Sequence, residues 1–423
     1  MAARDVKGFW TTLTLDQNFQ IMLIVASTLW IYSALTKVPF VVPSHYSDVG
    51  WLWIRDVYQG HHELAIPYVD YELEYPQMIG LLIFIGQAVS HYFPFLIDSY
   101  NTFVTVEGLL EYPFLIGTIY NLYSLCKKLG LDTMRIYLFM LTTLSFIIYG
   151  FYNWDIVVAY FTTLTIWYFL EGRYDACALA LVAGTLTKFI PGVVMLLPIT
   201  WSLPGWRARG RYLGVAAGSW GLVNLPFAIA PNSKWLLLFF GTSGPVHQLQ
   251  NTWVSMVISL TGLGDIISGA QAGWILSYGL FLFLLILASR SKHTPLEKIL
   301  LSWYAWYGVI YLFDPQMFIQ LMPIVVLTPS FDFLIYRIAD VLNAFIILFY
   351  FIGSQHPELP SYITDQLTPF GLTNMEAAIR QIVVLGAYFV CFNPRLLERL
   401  KGLKKSLASP FHTHEGSMSN GMT

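Results

Sequence analysis

The apolar residues of this chain come in runs long enough to cross a lipid bilayer, and the runs recur from about residue 19 to residue 393. A spanning helix needs about 20 mostly apolar residues, because in hydrocarbon each backbone N–H and C=O must be paired within the protein. That constraint points to an all-α membrane protein. Composition agrees: 56% of residues are hydrophobic and 11% charged, where soluble domains carry about 25% charged residues. The 14 Trp, 26 Tyr and 30 Phe suit aromatic belts at the two membrane–water interfaces.

Basic residues mark cytoplasmic loops. Arg4/Lys7, Lys127/Lys128/Arg135, Arg173, Arg207/Arg209/Arg211, Arg290/Lys292, Arg337 and the stretch from Arg395 to Lys405 all fall on one side for one set of helices. Those helices run near 19–41, 102–126, 136–150, 156–171, 175–187, 189–203, 211–229, 271–289, 297–313, 316–329, 334–353 and 376–393. The pattern predicts about twelve transmembrane helices (range roughly eleven to thirteen), with both termini cytoplasmic. Met78 to Ile97 is also long enough to span, but counting it would turn Lys127 and Lys128 outward. It is therefore expected as an interfacial or re-entrant helix on the outer face. The first apolar stretch, Phe19 to about Val42, exceeds a signal-peptide core and lacks a small-residue cleavage site, so an uncleaved helix is expected. Residues 1–405 would then form one polytopic domain, with outer loops 42–101 and 230–270. Residues 406–423 read as a disordered cytoplasmic tail.

A formal net charge of −2, no long basic run and no nucleotide-binding glycine loop give no reason to expect nucleic acid. Cys126, Cys177 and Cys391 fall near cytoplasmic helix ends, which argues against a disulfide. His45, His61 and His62 lie among carboxylates, yet their spacing matches no metal signature.

Six of the 25 acidic residues (Asp48, Asp56, Glu63, Asp70, Glu72 and Glu74) crowd into the first outer loop, with Arg55 the only Lys or Arg among them. Asp48 opens an amphipathic segment, Val49 to Tyr58, whose Trp51, Trp53, Ile54 and Val57 suit the interface. Two roles stay open for it: a helix N-cap, or a carboxylate at the edge of low dielectric acting as general base. Lys188 sits at a break between two short helices, 175–187 and 189–203. A charge at that depth needs a partner or a wet cavity, unless the side chain snorkels to the headgroups. Asn153-Trp154-Asp155 and Asp314-Pro315-Gln316 interrupt helices at the same outer level and read either as capped turns or as parts of one site. Pro76 suits a helix start.

Four short motifs stand in order: S-D (Ser47-Asp48), P-Y-V-D (Pro67 to Asp70), E-Y-P-Q (Glu74 to Gln77) and G-T-L-T-K-F-I-P (Gly184 to Pro191). Together they resemble the GT-C superfamily of polytopic glycosyltransferases, and within it the polyprenol-phosphate-mannose-dependent mannosyltransferases. The likeness spans about residues 45 to 200, with Q-N-T at Gln250 to Thr252 beyond it. The chain departs at Gln77, where a second Pro is usual, and has one residue fewer between Gly184 and Lys188. The resemblance implies a GT-C-like bundle and inverting transfer of a sugar, mannose foremost, from a polyprenyl or dolichyl phosphate at the extracytoplasmic face. The acceptor would be a lipid-linked glycan or glycolipid, in the plasma membrane or, in a eukaryote, the endoplasmic reticulum. Asp48 would be the base, with Lys188, Arg55 and His247 at the donor phosphate. Asp70, Glu74, Tyr75, Asn153, Asp155, Asn251 and Asp314 would shape the acceptor site. No metal or other cofactor is implied.

Two rivals remain at this stage. A transporter or flippase for a lipid or glycolipid should carry its ionisable residues near mid-membrane in paired repeats, whereas here they gather at one face and no inverted repeat is evident. A non-catalytic membrane subunit would tolerate loss of the Asp48 carboxylate.

Overall fold

The computed structural model describes residues 16–37, 47–58, 64–93, 98–231, 233–236, 252–263, 269–311, 313–329, 333–356, 358–360, 371–393 and 395. In chain order the helices are α1 (Gln17–Leu35), α2 (Asp48–Leu52, continued by a π-helical turn Trp53–Tyr58), α3 (Gln77–Tyr92) and α4 (Ser99–Leu129). A broken stretch, Met134–Ile136 and π-helical Tyr137–Leu141, leads into α5 (Leu144–Tyr149). Then follow α6 (Asp155–Leu170), α7 (Tyr174–Thr185), α8 (Ile190–Ser202) and α9 (Gly205–Ile229). The last group is α10 (Trp253–Thr261), α11 (Gly269–Arg290), α12 (Pro295–Val309), a 3-10 turn Pro315–Met317, α13 (Phe318–Leu327), α14 (Phe333–Gln355) and α15 (Leu372–Phe392).

The described residues are all-helical, with a single isolated bridge between Pro67 and Tyr71. Helix overlaps each of the twelve expected stretches, although 38–41 of the first lie outside the described residues. Six helical stretches are long and apolar enough to cross a membrane: Gln17–Leu35, Ser99–Leu129, Gly205–Ile229, Gln271–Arg290, Phe333–Tyr350 and Leu372–Phe392. Asp155–Leu170, Tyr174–Thr185, Ile190–Ser202 and Pro315–Leu327 are apolar but shorter. The stretch expected near 136–150 is cut at Thr142 and Thr143, where Thr143 turns its hydroxyl to the Phe146 N–H and caps α5. Met78 to Ile97 gives a 16-residue helix, α3, with Pro76 as N-cap at φ −68°.

α14 packs along α15, α15 along α12, and α6 lies between α4 and α7. Exposed Ile24, Leu109, Leu222, Ile275, Phe283 and Phe389 cover the outer faces of the long helices, as lipid-facing surfaces require. Buried polar side chains lie both inside long helices, such as Glu107 and Glu111, and at the helix breaks, such as Asn153, Lys188 and Gln316. Asp16 caps α1 and accepts bonds from Lys127 and Tyr123 at the end of α4. Those donors hold its carboxyl down at about 2.

The segment between α2 and α3 closes onto α3 through Tyr68, whose backbone sits in the left-handed region at φ 69°. Its hydroxyl donates to the Tyr75 carbonyl at 2.7 Å, and its ring lies against Gly80. A Cβ on Gly80 would stand 2.4 Å from the Tyr68 hydroxyl and 2.8 Å from the ring. Gly80→Ala is therefore expected to destabilise the protein by about 1–3 kcal/mol through overpacking, read as a lowered thermal midpoint in detergent or nanodiscs. An unchanged midpoint would show that Tyr68 swings away freely.

Candidate functional site

Asp48 stands at the first position of α2, and the capping job belongs to its neighbour. The Ser47 hydroxyl accepts the Gly50 N–H at 3.1 Å, which leaves the Asp48 carboxylate for other partners. Its Oδ2 accepts Asn153 Nδ2 at 2.7 Å and Gln316 Nε2 at 2.9 Å. Its own N–H donates to the Tyr152 carbonyl at 3.0 Å. The carboxylate is thus fixed from two elements some 100 and 270 residues along the chain, and it stays half-buried.

Asn153 is shared: its Nδ2 also donates to the Tyr75 hydroxyl at 2.9 Å. Tyr75 stands just before α3, and burial, followed by the charges of Asp48 and Glu74, pushes its phenol well above the ordinary range. It remains a neutral hydroxyl at every physiological pH. Tyr75 also links the two charged centres, because Lys188 Nζ lies 5.7 Å from its ring centroid.

Lys188 does not snorkel. It is 6% exposed and donates to Asp155 Oδ1 at 2.8 Å; Gln320 Nε2 donates to the same oxygen. Its place follows from the break between α7 and α8, and the Leu186 carbonyl there accepts the Met78 N–H at 2.7 Å. That bond ties the break to the start of α3, which carries Glu74-Tyr75-Pro76 beside it. An ammonium has three donors, and among the described residues Asp155 takes one.

The remaining expected residues divide. Arg55 pairs with Glu74 at 3.3 Å, both partly exposed; this bond competes with any phosphate for the guanidinium. Asp70 shapes the loop: its Oδ2 accepts the Ile66 N–H at 2.6 Å, and its carbonyl accepts Lys234 Nζ at 2.8 Å. Asp314 lies between α12 and the 3-10 turn, half-buried. Burial pushes its carboxyl up while Lys188 and Arg380 pull it down. His247 and Asn251 lie outside the described residues. So do His45, His61, His62 and Glu63; among the described residues no group of three His, Cys, Asp or Glu is arranged to hold a metal ion.

Several buried polar groups around this centre escape a reading by loops, because they sit inside apolar helices. Glu107 of α4 is fully buried and accepts Trp154 Nε1 at 3.0 Å, fixing the turn whose flanks are Asn153 and Asp155. Glu111 is buried one turn on. Lys37, just past α1, is buried with Nζ 6.0 Å from the Tyr152 ring centroid. The signal was there: a charged residue in an apolar helix marks a functional or structural polar centre.

The break after α12 is built by side chains that take up its orphan carbonyls. Trp253 Nε1 donates to Gly308 O at 2.7 Å, Gln381 Nε2 to Ile310 O at 2.6 Å, Thr252 Oγ1 to Tyr311 O at 3.2 Å, and Arg380 Nη2 to Phe313 O. A helix end leaves such carbonyls without intrahelical partners, and in an apolar setting each costs free energy unless paired. The last residue of the Q-N-T motif, Thr252, thereby docks the start of α10 onto the segment that leads to Gln316.

The geometry assembles one polar centre from the S-D, E-Y-P and lysine motifs and the two helix breaks. It holds an oriented carboxylate, a neutral phenol and a buried ammonium–carboxylate pair, enough for proton abstraction next to anion binding. Comparison with family models, with curated proteins and with solved structures finds no match for this chain.

Proposed function

We propose that the protein is an inverting membrane glycosyltransferase that moves a sugar, mannose foremost, from a polyprenyl or dolichyl phosphate to a hydroxyl of a lipid-linked acceptor. The observation that carries the reading is the joint placement of Asp48 and Lys188. Asn153 and Tyr75 bridge the two, so base and cation belong to one centre. Support also comes from the order of the four motifs that resemble the GT-C mannosyltransferases, and from the bundle of long and broken apolar helices. In this reading the bundle is GT-C-like with about twelve spans, and the centre lies at the extracytoplasmic side.

The acceptor hydroxyl approaches Asp48. Its proton passes to the carboxylate as the oxygen attacks the anomeric carbon from the face opposite the phosphate. The glycosyl C–O bond to phosphate breaks, and the released lipid phosphate takes the bonding pair. Lys188, with donors beyond the one given to Asp155, offsets that growing negative charge. Asn153 and Gln316 hold Asp48 Oδ2, so the carboxylate reaches the hydroxyl in one fixed orientation. Tyr75 packs against Lys188 and places a neutral phenol between the two charged centres.

Purified protein in nanodiscs, given radiolabelled dolichyl phosphate mannose and a total lipid extract as acceptor, tests the reading. Label should move into a new lipid product with inverted anomeric configuration. Label that stays on the donor, while crossing from one leaflet to the other, would instead identify a flippase.

A further inference from the structure

One cluster outside the reacting groups has no role in the mechanism above, and it lies directly behind Gln316. Arg380 of α15 is fully buried. Its Nη1 donates to Asn343 Oδ1 at 2.6 Å and its Nη2 to the Phe313 carbonyl, and its guanidinium lies 3.7 Å from the Phe313 ring centroid. Asn343 of α14 in turn donates Nδ2 to the Pro315 carbonyl and to Ser145 Oγ, both at 2.9 Å. The two side chains therefore grip the same short turn at both ends, Phe313 and Pro315. The next residue is Gln316, whose amide reaches Asp48 at 2.9 Å.

A buried guanidinium is costly. A core that needed only apolar packing would not keep one here. The planar fork of Arg, unlike the single point of Lys, can hold a carbonyl and an amide oxygen at once with fixed geometry. The turn it grips has weak means of its own: the 3-10 helix is three residues long, and Asp314 at its N-cap makes no side-chain capping bond. Without an outside clamp the Gln316 amide would sample several orientations, and a loss of about 1 Å in placement is enough to impair a positioned group.

We infer that Arg380 and Asn343 are positioning residues for the reaction proposed above, clamping the 313–316 turn so that Gln316 meets the Asp48 carboxylate. They touch no substrate and act only through Gln316. The inference rests on the reading of Asp48 as the base.

The test uses full-length protein in nanodiscs, with the donor and lipid extract already named, and a double-mutant cycle. Gln316→Ala and Asn343→Ala should each lower kcat about fivefold, the effect of one lost hydrogen bond, with the donor KM unchanged. The double variant should be no slower than Gln316→Ala alone. Arg380→Lys should show the same kcat loss. Losses that multiply in the double variant, or an Asn343→Ala enzyme as fast as wild type, would overturn the inference. Hydrogen exchange of the 313–318 backbone gives a reading that needs no activity. It should accelerate in Asn343→Ala and Arg380→Lys and stay at the wild-type rate in Gln316→Ala; equal protection in all would remove the clamp. Wild-type protein that transfers no sugar would count against the glycosyltransferase reading alone, with the exchange measurement still deciding the clamp.

Discussion

Asp48→Asn should abolish sugar transfer while leaving the protein folded. The substitution keeps shape and leaves a side-chain oxygen to accept from Asn153 and Gln316, but an amide takes no proton from an attacking hydroxyl. General-base catalysis contributes about 10²–10⁴-fold, so kcat should fall by at least two orders of magnitude. The thermal midpoint should stay near wild type, because Ser47 rather than Asp48 caps the helix. Steady-state transfer in nanodiscs, with a melting curve on the same sample, is the measurement. A variant that keeps a tenth of wild-type turnover would remove Asp48 from the role of base.

Lys188→Ala should show two separable losses. It leaves the Asp155 carboxylate buried without its cation, and breaking a buried pair costs about 3–5 kcal/mol. It also removes the ammonium that the reading assigns to the donor phosphate. The double variant Lys188→Met with Asp155→Asn separates them. Replacing both charges by neutral groups of similar size should restore most of the thermal stability, since neither partner is then left charged and alone. Donor affinity should not return, and KM for dolichyl phosphate mannose should remain raised at least tenfold. Recovery of both stability and donor affinity in the double variant would make the pair structural and void the phosphate assignment.

The two sites differ in how far they could be read in advance. Asp48 announced itself as a polar residue just beyond an apolar run, yet its role as cap or base was undecidable from spacing, because both readings need the same residue at the same place. The structure gives the cap to Ser47, which removes the capping reading. Lys188 announced itself as a charge at a helix break, but the choice between snorkelling and burial depended on Asp155 and Gln320, which come from different helices. Arg55, which the resemblance places at the donor phosphate, is engaged by Glu74. Glu107, Gln316, Asn343 and Arg380 were visible as polar residues in apolar surroundings, yet nothing local says which of them meet. Helix lengths set a similar limit. Hydropathy located the long apolar segments, whereas the break at Thr142-Thr143 divides a stretch that a window average joins.

By itself the sequence pointed to an all-helical chain with runs apolar enough for a membrane, and located its polar interruptions. Those properties follow from composition and local order, because backbone pairing in hydrocarbon and the 3.6-residue period act over a few turns of chain. Only the tertiary structure decided which interruptions converge, that Asp48 is oriented by Asn153 and Gln316, and that Lys188 is paired with Asp155. Hydrogen bonds between residues separated by 33 to 268 positions depend on how helices pack. A side chain's nearest neighbours in space leave no mark in the residues beside it.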